Sequence, residues 1–583
     1  MHIYSISQTF KLLLARKIGR LFNSINRHYR WRLCILEFIF ILANMRNHSI
    51  LTRLISLVLV GLFFISCGSS GNSASDKTSL TDTIKPAISN IDRSIPGSFS
   101  TQTKIKFDSS QVKIFLDSFS IFKIFENDIY SFYRRRNFAY AWFDEKGMIE
   151  PANNVYNRIQ NISEQGVPDR LPYKEAFTNL IESIGTENKA YATLELMLTS
   201  QYLVYANTVW KGLNEKQMQG VEWLLPRKKI SNRQLLDSLS GTTFLENEPV
   251  YKQYPLLKAY LKKYNDLKQN NILPKIKSDK KKLQPGDSSN TIGSVREWLF
   301  IMGDIAENNQ SNLFDIPLSD GIKTFQIRTG IAENGQITPA VIAEMNYPLE
   351  KRIETIIVNM ERCRWVPATV QKNYLFVNIP AYKLYVVEND SLAFNMNVVV
   401  GKSQHKTAVF NGDVKYVVFS PYWNIPASIM KNETLPAIRR NSRYLAQHNM
   451  EWNGNQIRQK PGPNNSLGLV KFLFPNSHSI YLHDTPAKSL FNETNRAFSH
   501  GCIRLAEPKK LASYLLRNDS TWNDATITAA MESGIEKTVI LKKTTPVFIA
   551  YFTSWVDKYG KINFRNDVYS RDSRLAELIM KNP

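Results

Sequence analysis

The sequence predicts a multidomain α+β protein: a helical domain, a small helical domain, and then a β-rich domain carrying a capping insertion. Three observations predict this. A chain of 583 residues is too long for one hydrophobic core, because single cores stop growing at roughly 250–300 residues. Between residues 106 and 270 apolar side chains recur every three and four positions, as in "YATLELMLTSQYLVYANTVW", which is helical spacing. From Asn373 the texture becomes strand-like, beginning "NYLFVNIPAYKLYVVEND", with the β-branched and aromatic residues that suit a pleated surface. A hydrophobic share of 43% and a charged share of 21% exclude fibrous and wholly disordered classes.

Residues 1–44 are either an over-long start or an extension with its own apolar patch, "LCILEFIFILA". Within residues 45–66, "LISLVLVGLFFI" follows Arg46 and Arg53. It has the length of a signal-peptide core and is short for a bilayer span. An uncleaved anchor made of both patches is the alternative. The stretch "FISC" resembles a bacterial lipoprotein signal, and the resemblance implies export, cleavage, and lipidation of Cys67. Gly68, where Asp would favour the inner membrane, implies a periplasmic protein held at the outer membrane. Residues 67–105 are rich in Ser and Thr and read as a flexible tether.

The formal charge of +23 favours anionic partners, nucleic acid being the first to consider. Nine Lys and Arg against one acid lie in the first 66 residues, and the export signal argues against nucleic acid. The expected partner surfaces are the membrane, through a lipid anchor, and an envelope polymer.

Residues 106–270 form the helical domain. Residues 271–290, with Pro, Gly and a lysine run, read as a linker. Residues 291–347 read as short helices joined by glycine turns. Residues 352–545 form the β-rich domain, with a hairpin turning at Glu388 to Asp390. An insertion at about 428–465, helical and then irregular, folds over one face. Residues 546–583 are a C-terminal segment.

Cys502 in "FSHGCIRL" is the residue on which chemistry turns. Of four cysteines, Cys34 falls in the possible extension and Cys67 at the lipoprotein-like signal, so Cys502 and Cys363 make neither a disulfide framework nor a four-ligand zinc site. A nucleophilic thiol needs a base or a positive surrounding, and a donor for the oxyanion. His483 lies at the end of a strand pattern. His500, two residues before the cysteine, shares its side if the segment is extended. Gly501 permits backbone geometry that aims amides into a pocket. Taken alone, the pair leaves a structural thiol and a nucleophile both open.

His483, fifteen intervening residues, and then Ser499, His500, Gly501 and Cys502 together resemble the signature of the L,D-transpeptidases. "NMERCRWVP", "SPYWNIPASI", "PGPNNSLGLVKFLFPN" and "YLHDTPAKSLF" resemble the large multidomain members of that family. "FYRRRNFAYAWFD" resembles the opening of their scaffold domain. The run at Phe325, Gln326, Gly330, Gly335 and Thr338 resembles a peptidoglycan-binding-like module, with a plain helical spacer as the alternative. The resemblance implies Cys502 as nucleophile, His483 as proton donor and acceptor, and backbone amides around Gly501 as oxyanion donors. It implies that His500 and Ser499 orient His483 or support the turn, and that Tyr422, Trp423, Asn424 and Arg504 contact peptidoglycan stem peptides. Arg504 stands where shorter members carry Asn. Cys363 is expected to be a packed side chain. Neither a metal nor an organic cofactor is implied.

Overall fold

A computed structural model of the protein describes residues 98–183, 190–239, 248–278, 280–367 and 371–581. The readings for residues 1–44, 45–66, Cys67 and most of the tether lie outside these residues. Among the described residues no helix is long and apolar enough to cross a membrane.

The upstream region is helical. Asn214 and Ser231 each form a capping box, accepting from the backbone of Gln217 and Gln234 while those glutamines reach back. Such reciprocal bonds satisfy amides that a helix start otherwise leaves orphaned. The run 132–144 is organised by a buried carboxylate from the helix Ala190–Tyr205. Glu195 accepts from the Tyr133 hydroxyl (2.8 Å) and the Trp142 amide (3.1 Å), and burial pushes its carboxyl up to about 7. Trp142 donates its indole N–H to Thr199 (2.8 Å), so this aromatic-rich motif is a folding unit.

In the small helical domain Gln326 is the organising side chain. Its Oε1 accepts from the amides of Asn334 (3.0 Å) and Gly335 (2.9 Å), and Thr338 caps the helix Pro339–Met345. The second half of the expected linker joins this domain, with Leu283 bridging Ile337 and Ser288 bridging Leu313.

The helix Leu349–Trp365 joins all the parts and buries charge to do so. Glu361 accepts from the Leu213 amide (2.6 Å) and the Trp365 indole (2.9 Å) and pairs with Arg364 (2.6 Å). Arg364 also donates to the carbonyls of Val209 (2.9 Å) and Gln165 (2.6 Å). Arg362 reaches the C-terminal helix at Asp572 (2.7 Å). The charged positions of "NMERCRWVP" therefore clamp the helical domain and the C-terminal segment onto this helix. Cys363 sits fully buried among them, its thiol pushed up to about 12 by burial, as expected of a packed side chain.

Among the described residues up to Ala550 twelve strands follow: β1 (Tyr374–Asn378), β2 (Lys383–Glu388), β3 (Ser391–Gly401), β4 (Phe410–Phe419), β5 (Trp423–Asn424), β6 (Met450–Asn453), β7 (Gln456–Gln459), β8 (Val470–Leu473), β9 (Leu482–His483), β10 (Ala497–Ser499), β11 (Ile503–Leu505) and β12 (Lys537–Ala550). Nine form one sheet in the order β10-β3-β11-β9-β8-β4-β12-β1-β2, and β2 also pairs with β3, so the sheet closes on itself. The pairs β9–β11, β1–β12 and β3–β10 are parallel. Val398, Val417, Phe472, Leu482, Ile503 and Val547 are fully buried inside it. The β2–β3 turn falls at Asn389 and Asp390, both with positive φ (49° and 62°), the geometry that matches strand twist in a two-residue hairpin.

One expectation, the irregular chain inside the insertion, is corrected here. β4 ends at Phe419 and the chain breaks at Ser420 (φ 44°), whose hydroxyl donates to the Met531 carbonyl (2.9 Å). After it, β5 joins the separate cap sheet β5-β7-β6, so Tyr422, Trp423 and Asn424 stand at the root of the cap. Within the insertion, 450–459 is a hairpin turning at Gly454, not irregular chain. The C-terminal boundary at 545 falls inside β12, which runs unbroken from Lys537 to Ala550.

Candidate active site

Parallel pairing brings the two chemical segments together. In β9 and β11 Leu482 lies opposite Ile503 and His483 opposite Arg504, and the Ile503 amide donates to the Tyr481 carbonyl (3.1 Å). Cys502 therefore enters beside Tyr481. The Tyr481 and His483 rings lie 5.7 Å apart on the side to which alternate residues of a strand point.

His483 is buried. Its Nδ1 lies 2.5 Å from the Asp484 carbonyl, which fixes the proton on Nδ1 and leaves Nε2 as the lone-pair nitrogen. Burial, together with the positive charges of Arg504 and Lys471, presses the imidazole down to about 3. It is a neutral base throughout the physiological range. The Asp484 carboxylate holds that carbonyl in place by accepting from the amides of Thr485 (2.7 Å) and Leu469 (2.9 Å) and pairing with Lys488.

Cys502 is half-buried, its thiol 3.6 Å from the Ser479 carbonyl. Burial pushes the thiol up, while hydrogen bonding from Tyr481 and the charge of Arg504 pull it back. Arg504 is itself half-buried, and its Nε has no partner among the described residues. It supplies the positive surrounding that a thiolate needs.

The turn before the cysteine is held from three sides. Gly501 has φ 115°, a conformation that side chains disfavour. Ser499 Oγ donates to the Cys502 carbonyl (2.6 Å) and accepts from the Gly501 amide (3.1 Å). Thr407 donates to the Gly501 carbonyl (2.8 Å) and accepts from the Gly401 amide (2.9 Å). Tyr569, from the C-terminal segment, donates to the Gly401 carbonyl (2.6 Å). Ser499 thus supports the turn. The Gly501 amide is engaged, and among the described residues the Cys502 amide has no acceptor.

His500 faces the cap. Its Nε2 lies 3.2 Å from Glu433 Oε1, and its ring stacks on His405 at 4.8 Å. Tyr422 connects to the site indirectly. Lys471, directly opposite His483 on β8, donates to the Tyr422 carbonyl (3.3 Å), and Arg458 of the cap lies over the Tyr422 ring (4.0 Å). Trp423 is half-buried and Asn424 exposed, paired in β5 with Gln459 and Arg458.

Four contributors were not singled out from sequence: Tyr481, Asp484, Thr407 and Tyr569. The first two lie within "YLHDTP", where strand alternation places Tyr481 on the side of His483. Thr407 and Tyr569 carry no local signal.

Comparison with known proteins identifies the domains that hold these residues. Residues 372–549 match the L,D-transpeptidase catalytic domain, and residues 127–261 match the scaffold domain. A curated "Putative L,D-transpeptidase" of Haemophilus influenzae is 32% identical over 248 residues, 39% of this chain and 50% of that protein, so the chain spans about half the length of that relative. Solved L,D-transpeptidases from Stackebrandtia nassauensis (13% identical, 47% of this chain and 97% of that one, TM-score 0.21) and Mycobacterium smegmatis (14%, 31% and 58%, 0.18) are too distant to add to the argument. The chain thus carries an L,D-transpeptidase catalytic domain over residues 372–549, with a scaffold domain over residues 127–261 ahead of it.

Proposed function

We propose that the protein cross-links peptidoglycan through a Cys502 thioester. The sulfur attacks the carbonyl of the diamino acid at the third position of a tetrapeptide stem. His483 Nε2 takes the thiol proton and gives it to the departing nitrogen, the C–N bond breaks, and D-alanine leaves. The side-chain amine of a second stem's diamino acid then attacks the thioester and loses its proton to His483. The new amide forms as the thiol is released. The Cys502 amide is the donor available to the oxyanion, and a donor of that kind is worth about 3 kcal/mol in the transition state. Arg504 and Tyr481 stabilise the developing thiolate.

The observation that carries this reading is the neutral His483, its Nδ1 committed to the Asp484 carbonyl, on the strand paired in parallel with the one that follows Cys502. Incubation with tetrapeptide muropeptides, with products identified by mass, tests it. Cross-linked dimers and free D-alanine are expected. Tripeptide alone would make the protein an L,D-carboxypeptidase and defeat the transfer step, and unchanged muropeptides would leave a wall-binding protein. His483→Ala is expected to lower the rate by ~10²–10⁴-fold.

The pH dependence follows from the same two groups. His483 stays unprotonated until about pH 3, and the Cys502 thiol ionises above its ordinary value. One protonation state of the pair therefore persists between them, and the acylation rate should be flat from roughly pH 5 to 8. A fall centred near 6.5 would show that His483 is solvated in the working enzyme. Cys67 is proposed as the lipidated residue, testable by palmitate labelling of the wild type against Cys67→Ala.

A further inference from the structure

A cavity of about 790 Å³ lies between the small helical domain and the closed sheet, away from the cap. Its walls carry Lys383 and Lys402 from the β1–β3 side, Arg496 just before β10, and Arg565 from the C-terminal segment. Among the described residues none of these four has a carboxylate within ion-pair distance. The two acids in the lining, Glu333 and Glu493, are exposed and unpaired with them. The acids further out are committed elsewhere, Glu344 to Arg352 and Glu507 to Lys510.

Arg496 has a buried Nε with no partner among the described residues; its other nitrogens donate to the carbonyls of Glu493 (2.6 Å) and Tyr382 (3.5 Å). Arg565 holds the small domain in place, donating to the carbonyls of Arg328 (2.9 Å) and Ile327 (3.0 Å). It passes so close to Gly330 that any side chain there would collide with it. Lys383 reaches only Asn395, at 3.5 Å. Burial, and the charge of Arg496, hold both Lys383 and Arg565 below their ordinary pKa values. Like charges gathered around a cavity without counter-ions raise each other's cost, and a bound anion relieves it.

We infer that this cavity is a second binding site, taking the carboxylates of a peptide stem other than the one reacting at Cys502. The proposal rests on the peptidoglycan reading for the identity of its ligand. The volume suits a short peptide, and the four cations of the walls suit one that bears more than one carboxylate. The side chains of Asn397, Asn492 and Asn495 in the walls offer amide partners of the kind a peptide backbone uses. The walls also lead into the catalytic turn. The Val400 amide donates to the Arg496 carbonyl (2.9 Å), and the Lys402 amide donates to the Ser499 carbonyl (2.9 Å). A stem seated here is one short strand from the nucleophile, where a second stem has to be gathered.

The test uses the full chain with Cys502 alkylated by iodoacetamide and a tripeptide stem, L-Ala–D-Glu–diamino acid, which lacks a leaving residue. Calorimetry should show one peptide bound, with affinity falling as salt rises. Lys383→Gln/Arg496→Gln should weaken binding at least about ten-fold, while carbapenem acylation of Cys502 in the unalkylated variant stays within about two-fold of wild type. Equal binding by the double variant, or by a tripeptide with its carboxylates amidated, overturns the proposal. So does displacement of the peptide by inorganic phosphate at equal concentration. If thermal unfolding shows the double variant damaged, Lys383→Gln alone must still weaken binding; no change there also overturns it. Failure of the carbapenem to label wild-type Cys502 would count against the catalytic reading and leave this binding result independent.

Discussion

Cys502→Ala is expected to bring D-alanine release from a tetrapeptide stem down to the uncatalysed background and to abolish covalent capture by a carbapenem. The loss is total because the sulfur is the atom that bonds to the acyl group; no neighbouring side chain can replace it. His500 is turned toward Glu433 of the cap, and Cys363 is buried with its thiol pushed up to about 12. The fold should survive, because Cys502 is half-buried and its sulfur makes one weak contact, to the Ser479 carbonyl at 3.6 Å. A stability change within about 1 kcal/mol is expected by denaturant titration. Residual turnover above background would end the assignment of the nucleophile.

Glu361→Ala should be the most damaging single change to stability. It would leave the Arg364 guanidinium buried without its carboxylate and would strip acceptors from the Leu213 amide and the Trp365 indole. Removing one partner of a buried pair costs about 3–5 kcal/mol, against total stabilities of about 5–15 kcal/mol. The helical domain and the C-terminal segment both meet at this helix, so chemical denaturation should report an earlier loss of the packing between them. A loss below about 1 kcal/mol would mean that Arg364 finds water or another acceptor, and that the clamp is weaker than its geometry implies.

The candidate site was legible in sequence because its parts are contiguous: Ser499 to Cys502 is one turn, and His483 ends a recognisable strand. The β2–β3 turn was legible for a similar reason, since Asn389 and Asp390 tolerate positive φ. The cap hairpin carried a signal that was overlooked, the two-residue loop Gly454-Asn455 between two short strands, with glycine supplying the positive φ such a turn needs. What the sequence hid is tertiary. Thr407 and Tyr569 support the catalytic turn from 95 and 67 residues away, and neither stands in a pattern. The expectation for His500 assumed an extended segment, and the positive φ of Gly501 departs from one. The burial of the charges on the helix Leu349–Trp365 has no sequence signal, because periodicity cannot tell a charge facing water from one facing a partner domain.

The central claim is that Cys502 carries the acyl group while His483 moves the proton. The most direct measurement is to quench the enzyme during turnover of a tetrapeptide stem, digest it, and locate the adduct by mass. A tripeptide acyl group on the peptide containing Cys502, absent from Cys502→Ala and formed more slowly by His483→Ala, is the predicted result. An adduct on any other residue, or none while cross-linked dimer accumulates, would contradict it.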